Sequence, residues 1–162
     1  MAKDKTPVTP AIRFLKKEKV AFAGHLYDYE DHGGTAASAR ELGVDEHSVI
    51  KTLVMEDEHK KPLIVLMHGN LQVSTKNLAR RLGAKTITPC APETATKHTG
   101  YLVGGTSPFG TLKKMPIYLE ETILDLPQIH INGGKRGFLV IIDPKELVRV
   151  LNPVLVKVGI HN

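Results

Sequence analysis

The feature that most constrains this chain is an apolar run, Val49-Ile50-Lys51-Thr52-Leu53-Val54-Met55, followed by the charged turn Glu56–Lys61 and a second apolar run, Leu63–Met67. Two such runs across a short polar turn predict an antiparallel hairpin. Both faces of the first arm are largely apolar, so the hairpin belongs in a sheet with helices packed on it. Lys51 breaks that pattern, and by the two-residue period it shares a face with Val49, Leu53 and Met55. An unpaired ammonium buried there costs several kcal/mol, at least ~3 by analogy with broken buried pairs, so it needs a partner or a depressed pKa. The alternative is an edge strand whose lysine reaches solvent.

The rest of the chain supplies the cover. Thr9-Pro10 reads as a helix start, with Ile12, Phe14 and Leu15 inward and Arg13, Lys16, Lys17 and Lys19 outward. Val20–Tyr29 reads as a strand. Thr35 caps a short helix over 36–42, which Gly43 ends. Ser74 caps a helix carrying Leu78 and Leu82, with Lys76, Arg80 and Arg81 as a basic strip on its flank and Gly83 at its end. Thr86–Thr88, Ile117–Glu120, Gln128–Ile131 and Phe138–Ile142 are strand candidates. Asp143-Pro144-Lys145-Glu146 is a helix start with Glu146 placed to reach back, and Val154–Val158 is a candidate last strand. No linker or repeat divides the sequence, so residues 1–162 are expected to form one α+β domain, a mixed sheet flanked by helices.

Bulk properties narrow the setting. Hydrophobic content of 41% and charged content of 24% fit a globular protein. No apolar run approaches the ~20 residues that span a bilayer, so no membrane is expected. Met1–Pro7 has no apolar core of the signal-peptide kind. One cysteine, Cys90, excludes an intrachain disulfide and fits a reducing cytoplasm. The 22 basic against 17 acidic residues give +5, which permits a polyanionic partner.

Two glycine-pair loops stand out: Gly100–Gly110 and Asn132-Gly133-Gly134-Lys135-Arg136-Gly137. Paired glycines let a ligand approach the backbone, and the two loops could form opposite walls of one site. Gly105–Gly110 fits the start of a phosphate-binding loop, but Thr111 and Leu112 stand where lysine and Ser/Thr are required and Pro108 removes an N–H, which rejects NTP hydrolysis. The eight histidines form no metal-binding spacing, and Cys90 has no Cys-x-x-Cys mate, so neither metal nor cofactor is expected. His25, His68 and His130 read as structural histidines. Cys90 reads as an inert thiol, and Ser107 lacks the context of an esterase nucleophile.

Lys51-Thr52-Leu53, the run Gly100-Tyr-Leu-Val-Gly-Gly-Thr-Ser-Pro-Phe-Gly110 and Gly133-Gly-Lys-Arg-Gly137, in this order and at these separations, resemble the YbaK family of aminoacyl-tRNA deacylases. That family is related to the editing insertion domain of bacterial prolyl-tRNA synthetase. The resemblance runs from Thr9-Pro10-Ala11 to the final helix, and the nearest subgroup clears cysteine mischarged on proline tRNA. It implies a curved, partly barrel-like mixed sheet with a crevice for the aminoacylated 3′ end of tRNA. The family's essential lysine falls on Lys51, its pocket tyrosine on Tyr27, the adjoining threonine on Thr52, and the glycine facing the acyl group on Gly104. Gly105, Ser107, Asn132, Gly133 and Gly134 complete the expected substrate contacts. The chain departs from the family pattern at Asn132 and Leu139, where serines are usual, and near Gly33, where a phenylalanine is usual.

The mechanism so implied is substrate-assisted: the cysteinyl thiol attacks its own ester carbonyl, leaving a thiolactone. The protein then needs only to orient the ester and stabilise charge, with the N–H groups of Gly104 and Gly105 as candidates and Lys51 on the terminal ribose or phosphate. The N-terminal lysines, Lys76, Arg80, Arg81, Lys113, Lys114, Lys135 and Arg136 would grip tRNA backbone. Proline tRNA is the expected partner, with cysteine tRNA and prolyl-tRNA synthetase as further family expectations. Three alternatives stay open: a preference for Ala- or Ser-tRNA, a non-catalytic acceptor-end binding module, and a small-molecule nucleotide enzyme using Lys51.

Overall fold

The computed structural model describes residues 6–161, so Lys3, Lys5 and most of the Met1–Pro7 segment lie outside the described residues. The helices are α1 (Pro10–Lys17), α2 (Gly34–Leu42), α3 (Thr75–Leu82), α4 (Pro92–Thr99) and α5 (Lys145–Leu151). The strands are β1 (Ala23–Leu26), β2 (Val49–Asp57), β3 (Pro62–His68), β4 (Gln72–Val73), β5 (Ile87–Pro89), β6 (Ile117–Glu120), β7 (Ile129–Lys135), β8 (Phe138–Ile142), β9 (Val154–Val156) and β10 (Gly159–Ile160). Among the described residues no helix is long and apolar enough to cross a membrane.

The expected hairpin is the centre of the sheet: β2 and β3 pair antiparallel from Ile50↔His68 to Glu56↔Pro62. Around it the main sheet runs β1-β8-β7-β2-β3-β6-β9, with β5 added beside β2. β2–β7, β3–β6 and β6–β9 are parallel and the other pairs antiparallel, which makes the mixed α+β sheet expected from the sequence. It is an open sheet, with β1 and β9 at its ends, and does not close into a barrel.

Because successive side chains alternate, β2 feeds both faces of the sheet. Ile50 and Val54 join Ile64, Leu66, Leu119, Ile129 and Ile131 in the main core, which Ile12 and Leu15 of α1 cover. Leu53 and Met55 pack on the opposite face with Val65, Met67 and α3's Leu78 and Ala79. Val49 packs with Leu139 and α2's Ala39 in a smaller cluster. Lys51, on that second face, falls between the α2-covered and α3-covered clusters.

Thr9 caps α1 as expected, accepting from Ile12 N at 3.1 Å, and its buried hydroxyl donates to Gly133 O at 2.6 Å. Ser74 caps α3. Four local expectations need correction. β1 covers only Ala23–Leu26 of the expected 20–29, its pairing with β8 followed by one further bond, from Tyr27 N to Gly137 O. Thr35 does not cap α2; Gly33 holds that position, and the Thr35 hydroxyl reaches Glu46 instead. Asp143 does accept from Lys145 N at 2.9 Å, but Glu146 pairs with Arg149 and does not reach back. The second glycine pair is part of β7, at a register shift between Asn132 and Lys135, and the turn proper is Arg136-Gly137.

Of the three histidines expected to be structural, His68 and His130 are buried and hydrogen-bonded, whereas His25 is exposed on β1. His68 sits between the His47 carbonyl (2.7 Å) and Thr122 Oγ1 (2.8 Å), and burial lowers its pKa. Glu120 is buried too, accepting from Val158 N and Gly159 N at 2.7 and 2.8 Å, which fixes the C-terminal segment to the sheet.

Candidate active site

The site begins with an interruption in the sheet. On the side away from β3, β2 pairs with β7 only at Val49 and Ile50, and with β5 only from Met55 onward. Residues 51–54 have no strand beside them on that edge, where Cys90 N reaches Val54 O at 3.0 Å. A cleft of about 560 Å³ opens there. It is lined by Tyr27, Lys51, Thr52, Gly104 and Asn132 of the expected substrate contacts, and by Arg136 of the expected tRNA contacts.

Lys51 is half-buried in this cleft and makes no hydrogen bond or ion pair with any described residue. Burial lowers its pKa below the ordinary 10.5, while the Glu46 carboxylate pulls it back up. Lys51 thus combines two of the readings its position allowed: it lies on an open strand edge and is half-buried there, with its pKa drawn downward by burial. Beside it, Thr52 Oγ1 is buried with no hydrogen-bond partner among the described residues. Such an orphaned hydroxyl costs about 1–3 kcal/mol, so a ligand group that bonds it gains correspondingly. At the α2 end, Ser38 Oγ bonds the Tyr27 hydroxyl at 3.0 Å, above a floor of Ala37, Val49 and Leu139.

The two glycine loops form one wall and not two. Asn132 Nδ2 donates to Gly104 O at 3.2 Å while its Oδ1 accepts from Gly134 N (2.6 Å) and Lys135 N (3.1 Å). Arg136 Nε donates to Val103 O at 2.8 Å. A Cβ at Gly105 would lie 2.7 Å from Arg136 N, so a glycine is required for the loops to touch. The first loop is also braced from within: Tyr101 donates to Phe109 O at 2.5 Å, with its pKa pushed up to about 12 by burial.

This arrangement corrects several expected contacts. The Gly105 N–H is committed to Leu102 O at 2.9 Å and is not free for an ester. Ser107 is fully buried and its Oγ accepts from Phe109 N, so it shapes the loop and does not line the cleft. Gly133 and Gly134 also lie outside the lining, with Gly133 O bonded to Thr9 and Gly134 N to Asn132. Gly104 has φ +90°, and a Cβ there would lie 2.5 Å from the Tyr29 hydroxyl: its bare Cα makes room for Tyr29. Of the expected tRNA contacts, Lys76, Arg80 and Arg81 are exposed on α3, Lys113 and Lys114 are exposed in the loop before β6, and Lys135 is exposed next to Arg136.

Sequence reasoning missed Glu46 and Tyr29. Glu46 acts on Lys51 and holds Thr35 Oγ1 at 2.7 Å, yet it lies in a 3₁₀ turn with no motif of its own. Tyr29 carries Arg136 over its ring, 5.3 Å from the centroid. Cys90 also lines the cleft, and burial raises its pKa, which keeps it a thiol.

A half-buried lysine at an unpaired strand edge, facing a rigid backbone wall, gives the domain a cleft in a break of its sheet that can accept a polar or anionic group. The sequence profile of the aminoacyl-tRNA editing domain matches residues 30–150, and the chain belongs to that family. It is 31% identical over 154 residues, 94% of each chain, to EbsC of Enterococcus faecalis, which is provisionally named a Cys-tRNA(Pro)/Cys-tRNA(Cys) deacylase. It is 29% identical over 86 residues to the proline–tRNA ligase of Brachyspira hyodysenteriae, covering 53% of this chain and 15% of the ligase. A crystal structure described as a provisional trans-editing enzyme for prolyl tRNA synthetase superposes with TM-score 0.81 at 22% identity, covering 95% of this chain and 99% of the other. The chain is thus an aminoacyl-tRNA editing enzyme, and the fold is that of the editing domain.

Proposed function

We propose that residues 1–162 act as one trans-editing deacylase domain that cleaves the ester of Cys-tRNA(Pro) with help from the substrate's own thiol. The observation that carries the reading is Lys51, a half-buried ammonium with no hydrogen bond or ion pair among the described residues, at the open edge of β2. A cation so placed is poised for an anionic substrate group, here the ribose–phosphate end of tRNA, and it strengthens as the substrate excludes water. The thiol sulfur bonds to the ester carbonyl carbon, the carbon–oxygen bond breaks, and the departing tRNA hydroxyl takes the thiol proton. A four-membered thiolactone is left for water to open.

The lining side chains fit a positioning role. Cys90 stays protonated, Ser38 is bonded to Tyr27, and Thr35 to Glu46. The apolar floor of Ala37, Val49 and Leu139 suits a small acyl group. EbsC, similar over the full length, carries the name of a deacylase for both Cys-tRNA(Pro) and Cys-tRNA(Cys), which supports cysteine as the amino acid and leaves both tRNAs as partners. The similarity to proline–tRNA ligases supports work alongside prolyl-tRNA synthetase in the cytoplasm.

The test is a deacylation panel across Cys-, Ala-, Ser- and Pro-charged tRNA, with wild type and Lys51→Ala. Cysteine release is expected to exceed the other three, and to fall about 10²-fold in Lys51→Ala with tRNA binding retained. Release no faster than in buffer would leave a binding module. Equal or faster turnover of Ser-tRNA or of S-blocked Cys-tRNA would rule out thiol attack and favour the Ala/Ser alternative.

A further inference from the structure

At the mouth of the cleft, Tyr29 and Arg136 form a feature that the deacylase chemistry leaves unused. The Tyr29 ring is about one-third exposed and packs against Gly104, whose missing Cβ admits its hydroxyl end. The Arg136 guanidinium lies over the ring, 5.3 Å from its centroid, and its Nε is fixed by Val103 O at 2.8 Å. Beside them Leu102 and Val103 are 61% and 47% exposed, which gives the wall an apolar rim. Tyr29, Val103, Gly104 and Arg136 all line the same cleft as Lys51.

We infer that Tyr29 and Arg136 form a stacking platform for the 3′-terminal base of the aminoacyl-tRNA. The inference rests on the deacylase reading and specifies how that site holds its substrate. The ester to be cleaved hangs from the terminal ribose, so a base attached to the same ribose must lie close to the mouth when the ester is beside Lys51. Bases bind protein by lying flat on aromatic rings and guanidinium planes, the two groups present here. A phosphate contact is the obvious alternative for Arg136, but its Nε is already committed to Val103 O and its guanidinium sits over the Tyr29 ring, which leaves only the Nη groups for a phosphate. The exposed Leu102 and Val103 side chains suit the apolar face of a base and offer no donor to a phosphate. Stacking also reads no sequence, so the platform serves any tRNA and leaves discrimination to other contacts.

The experiment uses an acceptor-stem RNA charged chemically with cysteine, and the same RNA lacking its terminal base. On the intact substrate Tyr29→Ala is expected to raise KM about 5- to 100-fold, the range that loss of one stacked base gives, with a smaller effect on kcat. Tyr29→Trp and Tyr29→Phe should keep KM within a few-fold of wild type, and Arg136→Met should raise it. On the substrate without its terminal base, wild type should itself show the raised KM and Tyr29→Ala no further loss. An equal penalty for Tyr29→Ala on both substrates would overturn the platform and leave Tyr29 as a support for Gly104. So would a wild-type enzyme indifferent to the missing base, a result that stands even if Tyr29→Ala fails to fold. If wild type releases no cysteine at all, the deacylase reading fails. The platform is then decided by binding of the two uncharged RNAs to wild type and Tyr29→Phe: equal affinity for both overturns it.

Discussion

Gly104→Ala gives the sharpest check on how the cleft wall is built. Two costs follow from the geometry. At φ +90° an alanine is strained, and left-handed backbone costs a non-glycine residue about 1–2 kcal/mol. Its methyl would also lie 2.5 Å from the Tyr29 hydroxyl and 3.1 Å from two ring carbons, so the ring must swing out. Because Tyr29 is partly exposed it can do so, losing mainly its contact with Arg136, worth about 0.5–1 kcal/mol at such a site. Together these predict a loss near 2 kcal/mol, or about 4–8 °C in Tm for a domain of this size. Urea unfolding of wild type, Gly104→Ala, Tyr29→Ala and the double variant separates the two parts. The strain should persist without the ring and the clash should vanish, leaving a coupling of about 0.5–1 kcal/mol. Strictly additive losses, or a Gly104→Ala protein within about 0.5 kcal/mol of wild type and fully active, would refute the role assigned to the bare Cα.

Two further outcomes follow. Burial lowers the pKa of Lys51, so turnover should be flat near neutrality and fall on an alkaline limb below the ordinary lysine value of 10.5. After subtracting spontaneous ester hydrolysis, Lys51→Arg should move that limb out of range, and an unchanged limb would dissociate it from Lys51. Stability runs the other way: the cost of the buried charge is full below the lowered pKa. It is relieved as pH rises from there to 10.5, where the unfolded chain still binds the proton that the native state has lost. Thr9→Ala removes both the α1 cap and the donor to buried Gly133 O, so a loss of about 1.5–3 kcal/mol is expected in urea, and under 0.5 kcal/mol would contradict the double role.

Much of the fold was legible because its signals are local. Two apolar runs across a charged turn specified the β2–β3 hairpin, and Thr9 and Ser74 marked helix starts through bonds spanning only three residues. Where local signals were ambiguous, distant partners decided. Thr35 looks like a cap, but its hydroxyl finds Glu46 and Gly69 O, neither of which is local to it. Ser107 looks like a site residue beside the glycine pair, but folding turns it inward.

The sequence by itself determined the α+β class, the place of Lys51 on a strand and the presence of two glycine loops, because strand period, capping and backbone freedom are properties of neighbouring residues. It also carried the family, through three short motifs kept in order. Only the tertiary structure decided that β2 loses its neighbour along residues 51–54, which is what turns a buried lysine into a cleft lysine. Only it decided that the glycine loops clasp each other as one wall, and that Gly104 is bare because Tyr29 leans on it beneath Arg136. Those facts depend on how β2, β5 and β7 divide one strand edge and on contacts between residues 28 to 107 positions apart, distances over which no local pattern in the chain constrains the outcome.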